Sequence, residues 1–388
     1  MRYVASTIIV NAQLYTGVIG GHLRGGAVRF ENDRITNVAL DPSGWEADRV
    51  IDADGAPVVP GYIDIHHHGA GGAAYDKGLD AGRIAVAEHR KHGTTRCVAS
   101  FVTASLDDLT ARMDALMPLV EDCSGHVLGF HAEGPFLSPA HKGAHPENRL
   151  VDPLSDRVQK VIDSAHGRLL QVTLAPEREN GINAVKQIVA SGARAAVGHT
   201  ACDFNTARAA FDAGATILTH TFNGMEGIHH RSPGPVVAAL RDERVWLEVI
   251  NDGIHVDPNV VKSLFLEAPN RTVLVTDAMS ATCNPDGHYM LGELEVVVTD
   301  GVARLANGGS LAGSTLTMDR AVANAVHNVD VPLDVAVAAA TSHAAQAIGL
   351  GDCFGQISPG FPADIVLLDP MSLLPQRVFE GGVEHSRA

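Results

Sequence analysis

Positive charge is scarce in this sequence: 29 Lys and Arg stand against 45 Asp and Glu, a formal net charge of −16 over 388 residues. A nucleic-acid binder needs a basic face to displace counterions from phosphates, and an anionic membrane surface repels such a chain, so both partner classes are set aside. Long apolar runs are missing too, and none approaches the roughly 18 residues of a membrane span. The N-terminus, MRYVASTIIVNAQLYTG, has short mixed apolar pieces in place of a signal-peptide core, so a cytoplasmic location is expected. Cysteine is sparse and scattered: Cys97, Cys123, Cys202, Cys283 and Cys353, no two closer than 26 positions. That spacing excludes a CxxC zinc or redox motif and does not suggest a secreted disulfide framework. No GxSxG elbow offers a nucleophilic serine.

What is present is a folded, globular composition, 45% hydrophobic and 19% charged. The length suits one barrel of about 250 residues with a smaller domain beside it. Residues 1–58 read as short strands with turn breaks, among them 4–10, 27–31 and 35–40. Near the other end, Pro359-Gly360-Phe361-Pro362-Ala363-Asp364 leads into another apolar strand, 365–368. The simplest arrangement is a small β-sandwich domain built from 1–58 and 350–388, with 59–349 inserted between them.

That insertion alternates strands and helices, the rhythm of parallel βαβ units. Strands are expected at 62–65, 95–101, 126–131, 169–174, 193–197, 216–218, 245–250 and 272–276, with Ala-rich helices at 81–91, 107–120, 182–190, 206–213 and 256–265. Eight units over roughly 290 residues predict an α/β fold, a (β/α)8 TIM-like barrel. An open doubly wound sheet is the competitor, but no GxGxxG turn follows the first strand. Residues 291–305, broken by Asp300-Gly301, read as a hairpin interrupting the last barrel unit.

Histidine is unevenly spread: 15 of the 20 fall between His66 and His255. The first barrel strand runs into Asp64-Ile65-His66-His67-His68-Gly69, where alternation puts His66 and His68 on one face and His67 on the other. Later strands end in His131-Ala132-Glu133, Gly198-His199, Thr219-His220 and Thr276-Asp277. In a barrel these C-terminal ends meet at one mouth. Any one such His is more often a satisfied structural residue than a ligand, but five strand ends converging on imidazoles and carboxylates suit a zinc, iron or other transition-metal site. Glu133 is able to bridge two ions. Asp277 suits either a ligand role or a base beside a metal-bound water, and both roles serve hydrolysis.

These residues resemble the amidohydrolase superfamily, with its barrel, terminal β domain and DxHxHG strand. A narrower set of motifs is similar to the N-acetylglucosamine-6-phosphate deacetylase family: HAEGPFL (131–137), KGAH (142–145), GHT (198–200), THTFNGM (219–225), NDGIHV (251–256), VTDAMSA (275–281), AGSTLTMD (312–319) and PGFPADIV (359–366). Glu133 on the third strand, where hydantoinase-like relatives use a carboxylated Lys after the fourth, separates the subfamilies.

The resemblance implies hydrolytic deacetylation of N-acetyl-D-glucosamine 6-phosphate in amino-sugar breakdown, using one or two divalent ions per subunit. Zn²⁺ comes first, with Fe²⁺, Mn²⁺ or Co²⁺ as alternatives. Glu133, His199 and His220 would hold one ion; His66 and His68, with Glu133 shared and Asp277 adjacent, would hold a second. Asp277 would be general base and then general acid. His145 would donate to the acetyl oxygen. Asn223, the Gly224 backbone, Arg231 and His255 would hold the sugar phosphate, with one phosphate contact crossing a homodimer interface. Beside these stand plainer readings: Arg231 as a solvated loop charge, His255 as the start of a helix, and His131 as a supporting residue. Two rivals also stand: a superfamily enzyme for a cyclic amide or another N-acetylated amino sugar, and a silent scaffold that keeps the fold without the chemistry.

Overall fold

The computed structural model describes residues 6–122 and 125–385, so Val4 and Ala5 of the first expected strand, and Cys123, lie outside the described residues. The central region forms an eight-stranded parallel sheet in sequential order: β1 (Tyr62–His67), β2 (Thr94–Val102), β3 (Val127–Glu133), β4 (Leu169–Leu174), β5 (Arg194–Val197), β6 (Ile217–Leu218), β7 (Trp246–Ile250) and β8 (Thr272–Val275). Every residue of β2 is buried, as expected where helices cover one face and the barrel interior fills the other. The seam between β8 and β1 is closed by single bonds and not by a ladder. The Thr276 hydroxyl donates to Asp64 at 2.5 Å, and the Asp277 N–H donates to the His66 carbonyl at 2.9 Å. The expected α/β barrel is present, with each of the eight strands within a residue or two of its expected bounds.

The helices between strands bury apolar stripes on this barrel, and several begin on side-chain caps. Ser105 accepts from the Asp108 N–H, Asp203 from Thr206 and Asp257 from Asn259, each satisfying a free first-turn donor. The short or polar helices Ser155–Ser164, Gly234–Leu240, Leu333–Ala339 and Ser342–Ala347 escaped the sequence reading. In Ser155–Ser164 only Val158, Val161 and Ser164 face inward, so its pattern is largely hydrophilic.

The terminal segments form one eight-stranded mixed sheet. Its path runs Val383–His385, Pro375–Glu380, Ile365–Leu368, Pro57–Pro60, Ser6–Tyr15, His22–Glu31 and Arg34–Ala39. Ser6–Tyr15 shares its second edge between Arg49–Asp52 and Pro57–Pro60, so the terminal β domain is a single branched sheet. Ile9, Leu14, Phe30, Ile365 and Phe379 lie in its own core. The expected hairpin at 291–305 is a three-stranded antiparallel sheet, Gly287–Leu291, Leu294–Thr299 and Val302–Leu305, following β8. Its core joins Val296 and Val298 to Met279, Ala281 and Ala144, which places it against the barrel mouth.

Candidate active site

A one-residue bulge shapes the end of β1: Asp64 pairs with Cys97 and His67 with Ala99, three steps against two. Past it, His66 and His68 face the barrel axis, while His67 turns outward against His89 and Tyr75, with ring centroids 4.3 and 5.1 Å away. The ends of β5, β6 and β8 solve the same aiming problem differently. His199, His220 and Asp277 all have left-handed backbone, with φ of 46°, 27° and 50°. Such conformations cost about 1–3 kcal/mol each for a residue with a Cβ and persist where the surroundings impose them.

Glu133, at the end of β3, is the hub. His199 and His220 Nε2 each lie 3.2 Å from its Oε1. His68 Nε2 lies 3.2 Å from its Oε2 and equally far from Asp277 Oδ1, and His66 Nε2 stands 3.4 Å from Glu133 Oε1. All of these groups are buried. Burial pushes the Glu133 carboxyl up, but the surrounding imidazoles, His66 first, outweigh it and hold it well below the usual range. Asp277 is likewise held low against burial, by the His68 hydrogen bond and the His66 charge, and so is ionised. The same carboxylates overcome burial to lift His68 to about 9.

Hydrogen bonds on the far side of each ring sort the histidines into two kinds. Nδ1–H of His68 donates to the Ser100 carbonyl at 3.2 Å, and Nδ1–H of His199 to the His141 carbonyl at 2.8 Å. Nδ1–H of His66 donates to the Glu248 carboxylate at 3.2 Å. In the neutral ring each of these leaves a bare Nε2 lone pair aimed at the centre. His199 and His220 Nε2 are 3.0 Å apart, and His66 Nε2 is buried without a partner. Lone pairs and carboxylate oxygens so crowded repel one another unless a proton or a metal ion lies between them, and the donor set of imidazole and carboxylate fits a divalent transition metal.

His145 is the other kind. Its Nδ1 accepts from the Thr103 backbone N–H at 3.2 Å, with the Thr103 hydroxyl 2.9 Å away. Burial pushes its pKa down to about 4, so the ring is neutral and its one proton sits on Nε2. That N–H points toward Glu133 Oε2 at 3.5 Å, on the wall of a cavity of about 230 Å³. Although His145 and His199 both crowd Glu133, one presents a donor and the other a lone pair.

The cavity is lined by His68, Glu133, His145, His199, His220, Asn223, Gly224, His255 and Asp277, together with Leu291, Ser310 and Leu311 from the region of the three-stranded insertion. His66 lies behind this wall, fully buried. Asp252 Oδ2 accepts from His255 Nδ1 at 2.7 Å and raises its pKa against the effect of burial. Gly224 has φ of 60°, and a Cβ there would lie 2.8 Å from His199 Nδ1, so a larger residue would have to displace that ring. Arg231 is not brought into the cavity of its own chain. It is exposed, and its Nη1 lies 2.7 Å from His230 Nε2.

Two residues at the site went unread in the sequence. Glu248, on β7, is fully buried: beyond His66 it accepts the His220 N–H at 3.2 Å and the Gln171 amide at 2.9 Å. Its signal was available, a lone charge inside the apolar run VWLEVI (245–250). Thr103, which fixes the His145 proton, offered no signal. His131 stands between the Ser100 and Thr173 hydroxyls, 2.9 Å from each, and its ring packs edge-on against His66.

The chain is similar over most of its length to several known proteins. An N-acetylgalactosamine-6-phosphate deacetylase of Escherichia coli O157:H7 is 39% identical over 328 residues, 82% of this chain and 85% of that one. An N-acetylglucosamine-6-phosphate deacetylase of Lysinibacillus sphaericus is 36% identical over 364 residues, 92% of each chain. The solved structure of an aspartate-to-alanine variant of N-acetyl-D-glucosamine-6-phosphate deacetylase from Mycobacterium smegmatis, in complex with N-acetyl-D-glucosamine 6-phosphate, superposes with a TM-score of 0.93 at 39% identity, covering 98% of this chain and 99% of that one. The sequence profile of the amidohydrolase family matches residues 58–384, and the chain belongs to that family.

Proposed function

We propose that this chain hydrolyses the acetamide of N-acetyl-D-glucosamine 6-phosphate, giving D-glucosamine 6-phosphate and acetate. One observation carries the reading: a neutral His145 with its proton on Nε2 and an ionised Asp277 line the same cavity as the imidazole–carboxylate cluster. Glu133, His199 and His220 would hold one divalent ion, and His66, His68, Glu133 and Asp277 a second. Bound there, such ions would polarise the acetyl carbonyl and lower the pKa of a nearby water. The donor set suits Zn²⁺ and also accepts Fe²⁺, Mn²⁺ or Co²⁺.

The side chains do the rest. Asp277 Oδ takes the proton of the attacking water and returns it to the amide nitrogen, because an amine leaves only once protonated. His145 Nε2–H donates to the carbonyl oxygen as charge develops on it, where a fixed donor contributes most. His255, whose charged form Asp252 favours, and Asn223 would bind the sugar phosphate beside the Gly224 backbone. Arg231 would reach the phosphate in a neighbouring copy's cavity, which makes a homodimer the working unit. The exposed, unpaired thiols of Cys283 and Cys353 support a reducing compartment such as the cytoplasm; no helix among the described residues is long and apolar enough to cross a membrane.

The galacto epimer is a second reading, favoured by the Escherichia coli relative. Acetate release from both 6-phosphates and from unphosphorylated N-acetylglucosamine, with metal analysis of the purified protein, tests the proposal. The reading stands if the gluco 6-phosphate has the highest kcat/KM. Preference for the galacto epimer would replace it, and equal rates without the phosphate would remove the phosphate site.

A further inference from the structure

A second cluster able to do chemistry lies outside the cavity. His92 follows the helix Leu79–Lys91 and reaches across to two other segments. Its Nδ1 lies 2.9 Å from Asp319 Oδ2, and its Nε2 lies 3.2 Å from the Sγ of Cys283. Asp319 is fully buried at the start of the helix Met318–His327, where its other oxygen accepts from the Thr317 hydroxyl at 2.5 Å and the Arg320 N–H at 2.9 Å. The carboxylate is therefore fixed. With Nδ1–H donated to it, His92 presents Nε2 to the thiol as a proton acceptor. This is the order of a thiol, its base and the group that orients the base.

Cys283 is exposed, so a reagent is able to approach the sulfur. Its φ of 59° is left-handed, a conformation that costs a residue with a Cβ about 1–3 kcal/mol and that here turns the side chain back toward His92. Burial lowers the pKa of His92, but its interactions with Asp319 and Cys283 together outweigh burial and lift it to about 10, so the ring is basic enough to take up the thiol proton.

We propose that Cys283, with His92 and Asp319, is a modification site: an activated thiol that exchanges with low-molecular-weight disulfides. His92 takes the thiol proton, and the sulfur attacks one sulfur of the disulfide RSSR. A Cys283–SR bond forms, the original S–S bond breaks, and the departing RS⁻ receives the proton from His92. The adduct would sit six residues beyond Asp277. That loop is bound to the glycine turn after His68, since Ser280 and Thr282 carbonyls accept from the Gly72 and Gly71 N–H groups at 2.8 and 2.7 Å.

The chain contains its own control. Cys353 is also exposed, and among the described residues no side-chain hydrogen bond to its sulfur is found. The folded protein would be incubated with glutathione disulfide at pH 7 and the two peptides followed by mass, each normalised to its rate in the denatured chain. A base fixed beside the sulfur, present at Cys283 and not found at Cys353 among the described residues, predicts Cys283 reacting about tenfold faster than Cys353. His92→Asn should bring the ratio to within about threefold of unity. Equal normalised rates in the unaltered protein overturn the proposal whatever the variant does, and so does a ratio that His92→Asn leaves unchanged.

Discussion

Replacing Glu248 by Gln should separate the charge of this residue from its hydrogen bonds. In the wild-type site its Oε2 faces His66 Nδ1–H and the His220 N–H, both at 3.2 Å, while Oε1 takes the Gln171 amide at 2.9 Å. A glutamine oxygen in the Oε2 position keeps the first two bonds. Its NH₂ would then oppose the Gln171 NH₂, but Gln171 Oε1 is buried without a partner, so a flip of that amide turns the clash into a bond. The fold should therefore lose about 1 kcal/mol or less. What disappears is the negative charge behind His66, which raises the basicity of Nε2 and steadies the ring. Such outer partners of ligating histidines are worth about 10–100-fold in metal affinity, or roughly 1.4–2.7 kcal/mol. Competition with a chelator should show that loss for the ion proposed at His66 and His68. The ion proposed at His199 and His220, whose Glu248 contact is retained, should be held nearly as before. Unchanged affinity for both ions, with an unchanged melting temperature, would refute the reasoning. Glu248→Ala provides the contrast, since it strands three buried donors at about 1–3 kcal/mol each and should destabilise the metal-free protein by several kcal/mol.

Asp277→Asn should lower kcat by about 10²–10⁴ while the protein keeps the ion at Glu133, His199 and His220; near-normal turnover would exclude the proton-transfer role. Arg231→Ala should raise KM for the phosphorylated sugar alone. If Arg231 acts on a neighbouring copy, mixing it with the inactive Asp277→Asn chain should restore normal KM in hybrid dimers, and no restoration would place the Arg in its own subunit's reaction or outside the site. Gly224→Ala should impair metal retention, because its Cβ would press on His199 at 2.8 Å; full metal content with normal kcat/KM would contradict the steric argument. Burial pushes the Glu380 carboxyl up, but His126 and Arg90 more than offset it and hold it at about 2. A depressed carboxyl pKa stabilises the folded state above the ordinary carboxylate value near 4.5, and that contribution is lost as pH falls toward 2. Glu380→Gln should cost about 3 kcal/mol in urea denaturation at pH 7 and progressively less below pH 4.5; a pH-independent difference would contradict the linkage.

Legibility in the sequence followed the range of the interaction responsible. The barrel strands were readable because a short apolar run ending in a polar residue is a local pattern, and the sequential order of a parallel barrel then brings His66, Glu133, His199, His220 and Asp277 to one rim. The left-handed turns at His199, His220 and Asp277 were not readable. No glycine marks them, and the convergence of the site itself imposes them. Thr103 was invisible for a related reason: what it contributes to His145 is a backbone N–H, which every non-proline residue possesses.

Net charge shows the same limit from the other side. The −16 total disfavours nucleic acid, whose repeating phosphates sample an extended surface. It says little about a single phosphate, because screening confines exposed charges to about 8 Å at physiological salt. Within that distance the balance is local: the site carboxylates are surrounded by imidazoles, and Asp252 favours the charged form of His255 on the cavity wall. An acidic chain therefore suits an anionic substrate whenever its few cations are fixed by buried partners, and replacing Asp252 should weaken phosphate recognition although it makes the protein less negative. If Asp252→Asn instead lowers KM for the phosphorylated sugar, the total charge governs binding and the local argument fails.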